Sequence, residues 1–174
     1  MRHTKRMRIY IPATAADLHA AEISPRWAHA VTPALRDALP QEDDEGCAES
    51  AMLAAADESL MRLREAPTDL ARRVVVVADV APATVQLPPQ RSWQPGDDRL
   101  PSAVQVTEPV GWHEVAAIYV DEATSSEIVH RAMTIAETDT DFERANDAAY
   151  ELDLLWYDVV ELDRLREELA RAES

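Results

Sequence analysis

The chain has 174 residues, 47% of them apolar, which is enough for one domain with a core of its own. Its formal charge of −16 sets a repulsive field toward phosphate backbones and argues against nucleic acid as a partner. No stretch approaches the roughly 20 apolar residues of a membrane span, so no membrane partner is expected and a soluble, cytoplasmic protein is.

The first six residues are expected to be a flexible N-terminal extension, and Arg2, Lys5 and Arg6 within it form with Arg8 a local basic patch. They do not read as a secretory signal, because Arg8 and Pro12 flank only the apolar Ile9 to Ile11. Met7 to Ile11 predicts a strand closed by Pro12. Thr14 and Asp17 form a capping-box-like pair at the start of a helix. Ser24-Pro25 and Thr32-Pro33 each place a cap before a proline at the first helical position, predicting two short helical pieces.

Gln41 to Gly46 is an acidic loop, most simply a solvated one, after which Leu53, Ala56, Leu60 and Leu63 recur at helical spacing until Pro67. Arg72 to Val80 holds four consecutive valines and predicts a central strand covered on both faces. Residues 88–101 are rich in proline and predict a surface loop, with Trp93 as its large apolar residue. Ala103 to Val106 and Ala116 to Val120 predict further strands, and Pro109 to Val115 a turn between them. Thr124 with Glu127, and Thr140 with Glu143, are capping boxes for two helices. Ile128, Ala132 and Ile135 mark the inner face of the first, with His130 outside. Leu154 to Val160 is read as a strand between two helices, because a single unbroken helix through it would far exceed the usual length of about 11–12 residues.

These elements predict a single α+β domain over residues 7–174. The expected architecture is a two-layer sandwich, with strand-helix-strand-strand-helix-strand order that would be ferredoxin-like with an added strand. Four segments, MRIYIPAT at Met7 to Thr14, AHAVTPALR at Ala28 to Arg36, VVVADV at Val75 to Val80 and LLWYD at Leu154 to Asp158, together resemble a family of uncharacterised actinobacterial proteins defined as a domain of unknown function. The resemblance implies a start near Met7 and a break before the last helix. It carries no activity, cofactor or catalytic residue.

Two constellations are chemically plausible. His29, Thr32 and Arg36, set around a helix N-terminus, would suit a bound anion, although Thr32 is also explained as a cap and Arg36 as an ion-pairing residue. Asp79, Asp121 and Asp158 stand at or near strand ends and together would suit Mg²⁺ or Mn²⁺ and a metal-bound water, although Asp is common at such places as a cap. Cys47 is the sole cysteine and follows acidic residues, which disfavours a reactive thiolate. Three glycines cannot build a phosphate cradle, and no complete catalytic motif is present. Trp156 and Tyr157 are expected as core anchors. The sequence therefore predicts no cofactor and a non-catalytic domain binding a small ligand or a protein, with homodimerisation through a sheet face or edge strand. Divalent-metal-assisted hydrolysis is the alternative.

Overall fold

The computed structural model describes residues 5–88 and 97–173. Arg2, Trp93 and most of the expected proline-rich loop lie outside the described residues. The protein is an α+β fold of helices and a mainly antiparallel sheet.

Strand β1 spans Met7–Ala13 and helix α1 Ala15–Leu18. The Thr14 N–H donates to the Asp17 carboxylate at 3.0 Å, as the capping pair requires. Pro12 does not close β1: the strand runs through it, because proline forfeits only a donor and costs little where the ladder does not call for one. Strand β2 is Glu22–Ile23 and β3 is Trp27–His29. The second of these replaces the helical piece expected after Ser24-Pro25. Both groups of Ser24 that a helix cap would use are taken by Arg26, whose Nε donates to the Ser24 carbonyl at 3.0 Å and whose Nη2 donates to the hydroxyl at 2.8 Å.

The other proline cap behaves as expected. Thr32 Oγ1 accepts from the Leu35 N–H at 3.0 Å and opens α2, Pro33–Ala38. Helix α3, Asp44–Glu65, begins inside the acidic run, which is thus a helix start and not only a solvated loop. Asp43 caps it through the Gly46 N–H at 2.8 Å, and Asp44 and Glu45 lie at the positive end of its dipole.

Strand β4, Val74–Val80, is the valine run. Strands β5 (Val85–Gln86), β6 (Ala103–Val106), β7 (Val110–Gly111) and β8 (Val115–Asp121) follow. Helix α4 is Ser126–Thr134, α5 Phe142–Tyr150, β9 Leu154–Asp158 and α6 Leu162–Ala172. The helix-strand-helix reading of the C-terminal region is what the structure has. The expected capping box at Thr124 is not formed: its hydroxyl donates to Glu122 instead, at 3.1 Å, and α4 buries Val129, Ala132 and Met133 while Ile128 is exposed.

The main sheet has the order β5-β6-β3-β1-β4-β8-β9, and β2 pairs with β7 in a separate ribbon. It has two strands more than the five expected, β3 and β5, and these, like β2 and β7 of the ribbon, are two or three residues long and too short to leave a periodic signal. The chain divides into two compact units. One comprises residues 1–11, 21–55 and 77–116 and carries Tyr10↔His29, Trp27↔Gln105 and Val85↔Val106 among its antiparallel pairs. The other comprises residues 12–20, 56–76 and 117–174. In it Leu60 and Leu63 of α3 pack with Val129, Ala132 and Met133 of α4 and Ala149 of α5. The Ser59 hydroxyl is part of its frame, donating to the Ala13 carbonyl at 2.6 Å and accepting from the Val74 N–H at 2.9 Å.

Candidate functional site

The residues predicted to hold an anion are engaged within the fold. His29 is fully buried in β3, with its Nδ1 2.7 Å from the Ser102 hydroxyl. Thr32 caps α2 and its own hydroxyl donates to the Pro101 carbonyl at 2.6 Å. Arg36 is turned to Asp44 in an exposed ion pair. Each thus has a structural partner, and α2 is a short helix of six residues with a weak dipole.

The three carboxylates proposed for a metal serve three separate tasks. Asp79 receives a forked pair of bonds from Arg8, Nε and Nη2 each at 3.0 Å. Asp158 accepts from the Val160 N–H at 3.0 Å, while its own N–H donates to Glu161 at 2.9 Å, closing the turn between β9 and α6. Asp121 is wholly buried. The β8–β9 register pairs Ala117 with Asp158 and Asp121 with Leu154, so Asp121 and Asp158 lie at opposite ends of one strand pair. Four residues of strand separate them, about 13 Å, too far to share one ion. Among the described residues no group of three or more His, Cys, Asp or Glu is placed to hold a metal.

Sequence reading missed the partner of Asp121. Arg73 is also buried, and its backbone N–H and Nε both donate to Oδ2, at 2.8 and 2.9 Å, while Nη2 donates to Oδ1 at 2.8 Å. Nη2 also reaches the Leu152 carbonyl at 3.1 Å, and Arg72 Nε donates to the Asp121 carbonyl at 2.7 Å. The pair ties β4, β8 and the entry to β9 together. A basic residue immediately before a valine run is its sequence signal, since a charge at the mouth of a buried strand requires a buried partner.

Among the described residues, the second unit carries surface hollows that include the following two. One of about 620 Å³ is lined by Asp69, Ser126, Glu127, His130 and Glu173. A smaller one of about 310 Å³ has Ile128, Ala145 and Ala148 with Arg131 and Arg144, both of which face Asp141, at 3.7 and 3.8 Å.

The most exposed large apolar surface on a strand belongs to β9. Strand β9 closes one end of the sheet, and among the described residues no strand pairs with its outer side. Trp156 is 57% exposed and Leu155 40%, and Val160 just beyond the strand is 85% exposed. Trp156 is therefore no core anchor. It pairs with Tyr119 on β8, and an edge strand leaves its flank without a second neighbour to cover the indole. Tyr157 is half-buried, and burial together with the charge of Glu168 raises its phenol above the ordinary 10.0.

Comparison with known proteins adds a family and no activity: the sequence profile of DUF6912, a family of unknown function, matches residues 7–165. No curated protein and no solved structure matches the chain.

Proposed function

The chain belongs to the DUF6912 family, and from its own surface we propose that it is a non-catalytic protein-interaction domain whose binding surface is the edge strand β9. The exposed Trp156 beside Leu155 carries this reading. An edge strand presents unpaired N–H and C=O groups that template another strand, and soluble proteins usually block such edges with proline, lysine or a bulge. Within Leu154–Asp158 there is no proline and no basic residue. The one charge, Asp158, is folded back into its own turn. Tryptophan concentrates contact area at protein interfaces, and its exposure on an edge is costly unless it has a use.

The polar residues support a non-catalytic reading by what they already do. Asp121 is consumed by Arg73, Asp158 and Thr32 are caps, and Asp79 is forked by Arg8. Metal-assisted hydrolysis draws no support from this arrangement.

A photo-crosslinking residue at position 155, introduced in cells that make the protein, tests the proposal. It is expected to yield a discrete protein adduct that disappears when Trp156→Arg is added, whereas the same probe at Arg144 yields none. Equal labelling from both positions would refute it.

A further inference from the structure

Resting on that reading of β9, we propose that the strand pairs with β9 of a second copy of this chain, antiparallel and centred on Trp156. The five-residue strand is Leu154, Leu155, Trp156, Tyr157 and Asp158, with Trp156 in the middle. A two-fold axis through that position sets each Trp156 opposite its own counterpart, as an isologous interface demands. Leu155 then faces Tyr157 and Leu154 faces Asp158 across the axis. Apolar positions meet apolar ones in the centre, and within Leu154–Asp158 no carboxylate lies directly opposite another, which is the pairing an antiparallel ladder penalises.

The side chains are already arranged for this. In β8–β9 the register puts Trp156 beside Tyr119, so the indole stands on one face next to an aromatic neighbour and is free on the flank where the second copy would add. Asp158 is the one charge within the strand, and its carboxylate accepts from the Val160 N–H at 3.0 Å. An edge of this length gives a small interface, at the low end of the specific class, so association in the micromolar range is expected.

Charge fixes the direction of the salt effect. Two copies at −16 each repel at long range, and Glu151 and Asp153 add acid just before the strand. The screening length falls from about 30 Å at 0.01 M salt to about 3 Å at 1 M. Self-association driven by apolar and ladder contacts therefore strengthens as salt rises. A basic partner docking on the same edge would weaken.

Light scattering coupled to size separation gives the test, using the full chain from about 10 to 500 µM in low and in roughly 0.5 M salt. The mass is expected to move from the 19.4 kDa of one chain toward twice that value, more readily in high salt. Trp156→Lys and Trp156→Glu are each expected to stay monomeric, since each sets like charges face to face. An equimolar mixture of the two is expected to regain the dimer, because position 156 faces itself only in this register. Far-ultraviolet dichroism confirms that both variants fold. A wild-type chain that stays at 19.4 kDa throughout, a dimer indifferent to both substitutions, or a mixture that remains monomeric overturns the inference. A monomeric wild type that still forms the position-155 adduct with another protein leaves the interaction reading standing without self-pairing. Loss of both removes both.

Discussion

Asp121 shows how one residue can resemble a ligand and serve as a beam. Its carboxylate accepts three bonds from Arg73, and both side chains are out of water. Such a pair gives little net stability relative to apolar replacements of the same shape, yet removing one partner strands the other charge in a low dielectric. Asp121→Asn is accordingly expected to cost about 3–5 kcal/mol in urea unfolding, and Asp121→Leu combined with Arg73→Met to recover most of it. A loss below about 1 kcal/mol for the single change would show that the pair does not organise the fold. Tyr157 yields a second residue-level expectation. Burial first, then the charge of Glu168, hold its phenol neutral above the ordinary 10.0. The neutral form is the one the fold favours, so this contribution is complete below 10.0 and is lost as pH climbs through the raised folded value. The absorbance titration that disappears in Tyr157→Phe should have its midpoint above 10.0, and a midpoint at or below it contradicts the burial.

Among the elements, β9 and α6 form the unit that the proposed function depends on. Leu162, Leu165 and Leu169 recur at spacings of three and four and are buried, while the intervening Asp163, Arg164 and Glu168 are polar. Charges on α6 act on Tyr157 of β9, with Glu168 raising its phenol and Arg164 lowering it, and Arg72 stands 3.9 Å from Glu168. The charged residues of α6 thus act on Tyr157, while Trp156 stays exposed. Leu165→Ala is expected to cost about 2–5 kcal/mol. It should also speed hydrogen exchange at β9 amides ahead of those in β4, if α6 supports that edge. Uniform acceleration across the sheet would mean that the two elements are not specifically linked.

At the scale of the whole molecule, the acidity has a distribution that decides its meaning. Asp43, Asp44 and Glu45 start α3, Asp17 caps α1 and Asp158 with Glu161 closes a turn, so much of the charge is local backbone chemistry that does not single out a ligand. No helix among the described residues is long and apolar enough to cross a membrane. The sequence alone determined what is local. Thr32-Pro33 specifies a helix start because cap and φ restriction act within four residues, the valine run specifies a covered strand, and LLWYD favours a strand through its adjacent aromatic residues. Hydrophobic periodicity also located α6 and the Ala56, Leu60 and Leu63 face of α3, although Leu53, expected on that face, is exposed. What it left open is what depends on neighbours distant in the chain. Ser24-Pro25 became the approach to a strand once Arg26 occupied its groups, and α4 turned Val129 and Met133 inward because Leu60 and Leu63 of α3 lie there. Asp121 is a buried ion pair because β8 ends where Arg73 begins its strand, and Trp156 is exposed because β9 falls last in the sheet order. Burial of a strand residue is set by which strand and helix come to lie beside it, and that is a property of long-range pairing that no local pattern encodes.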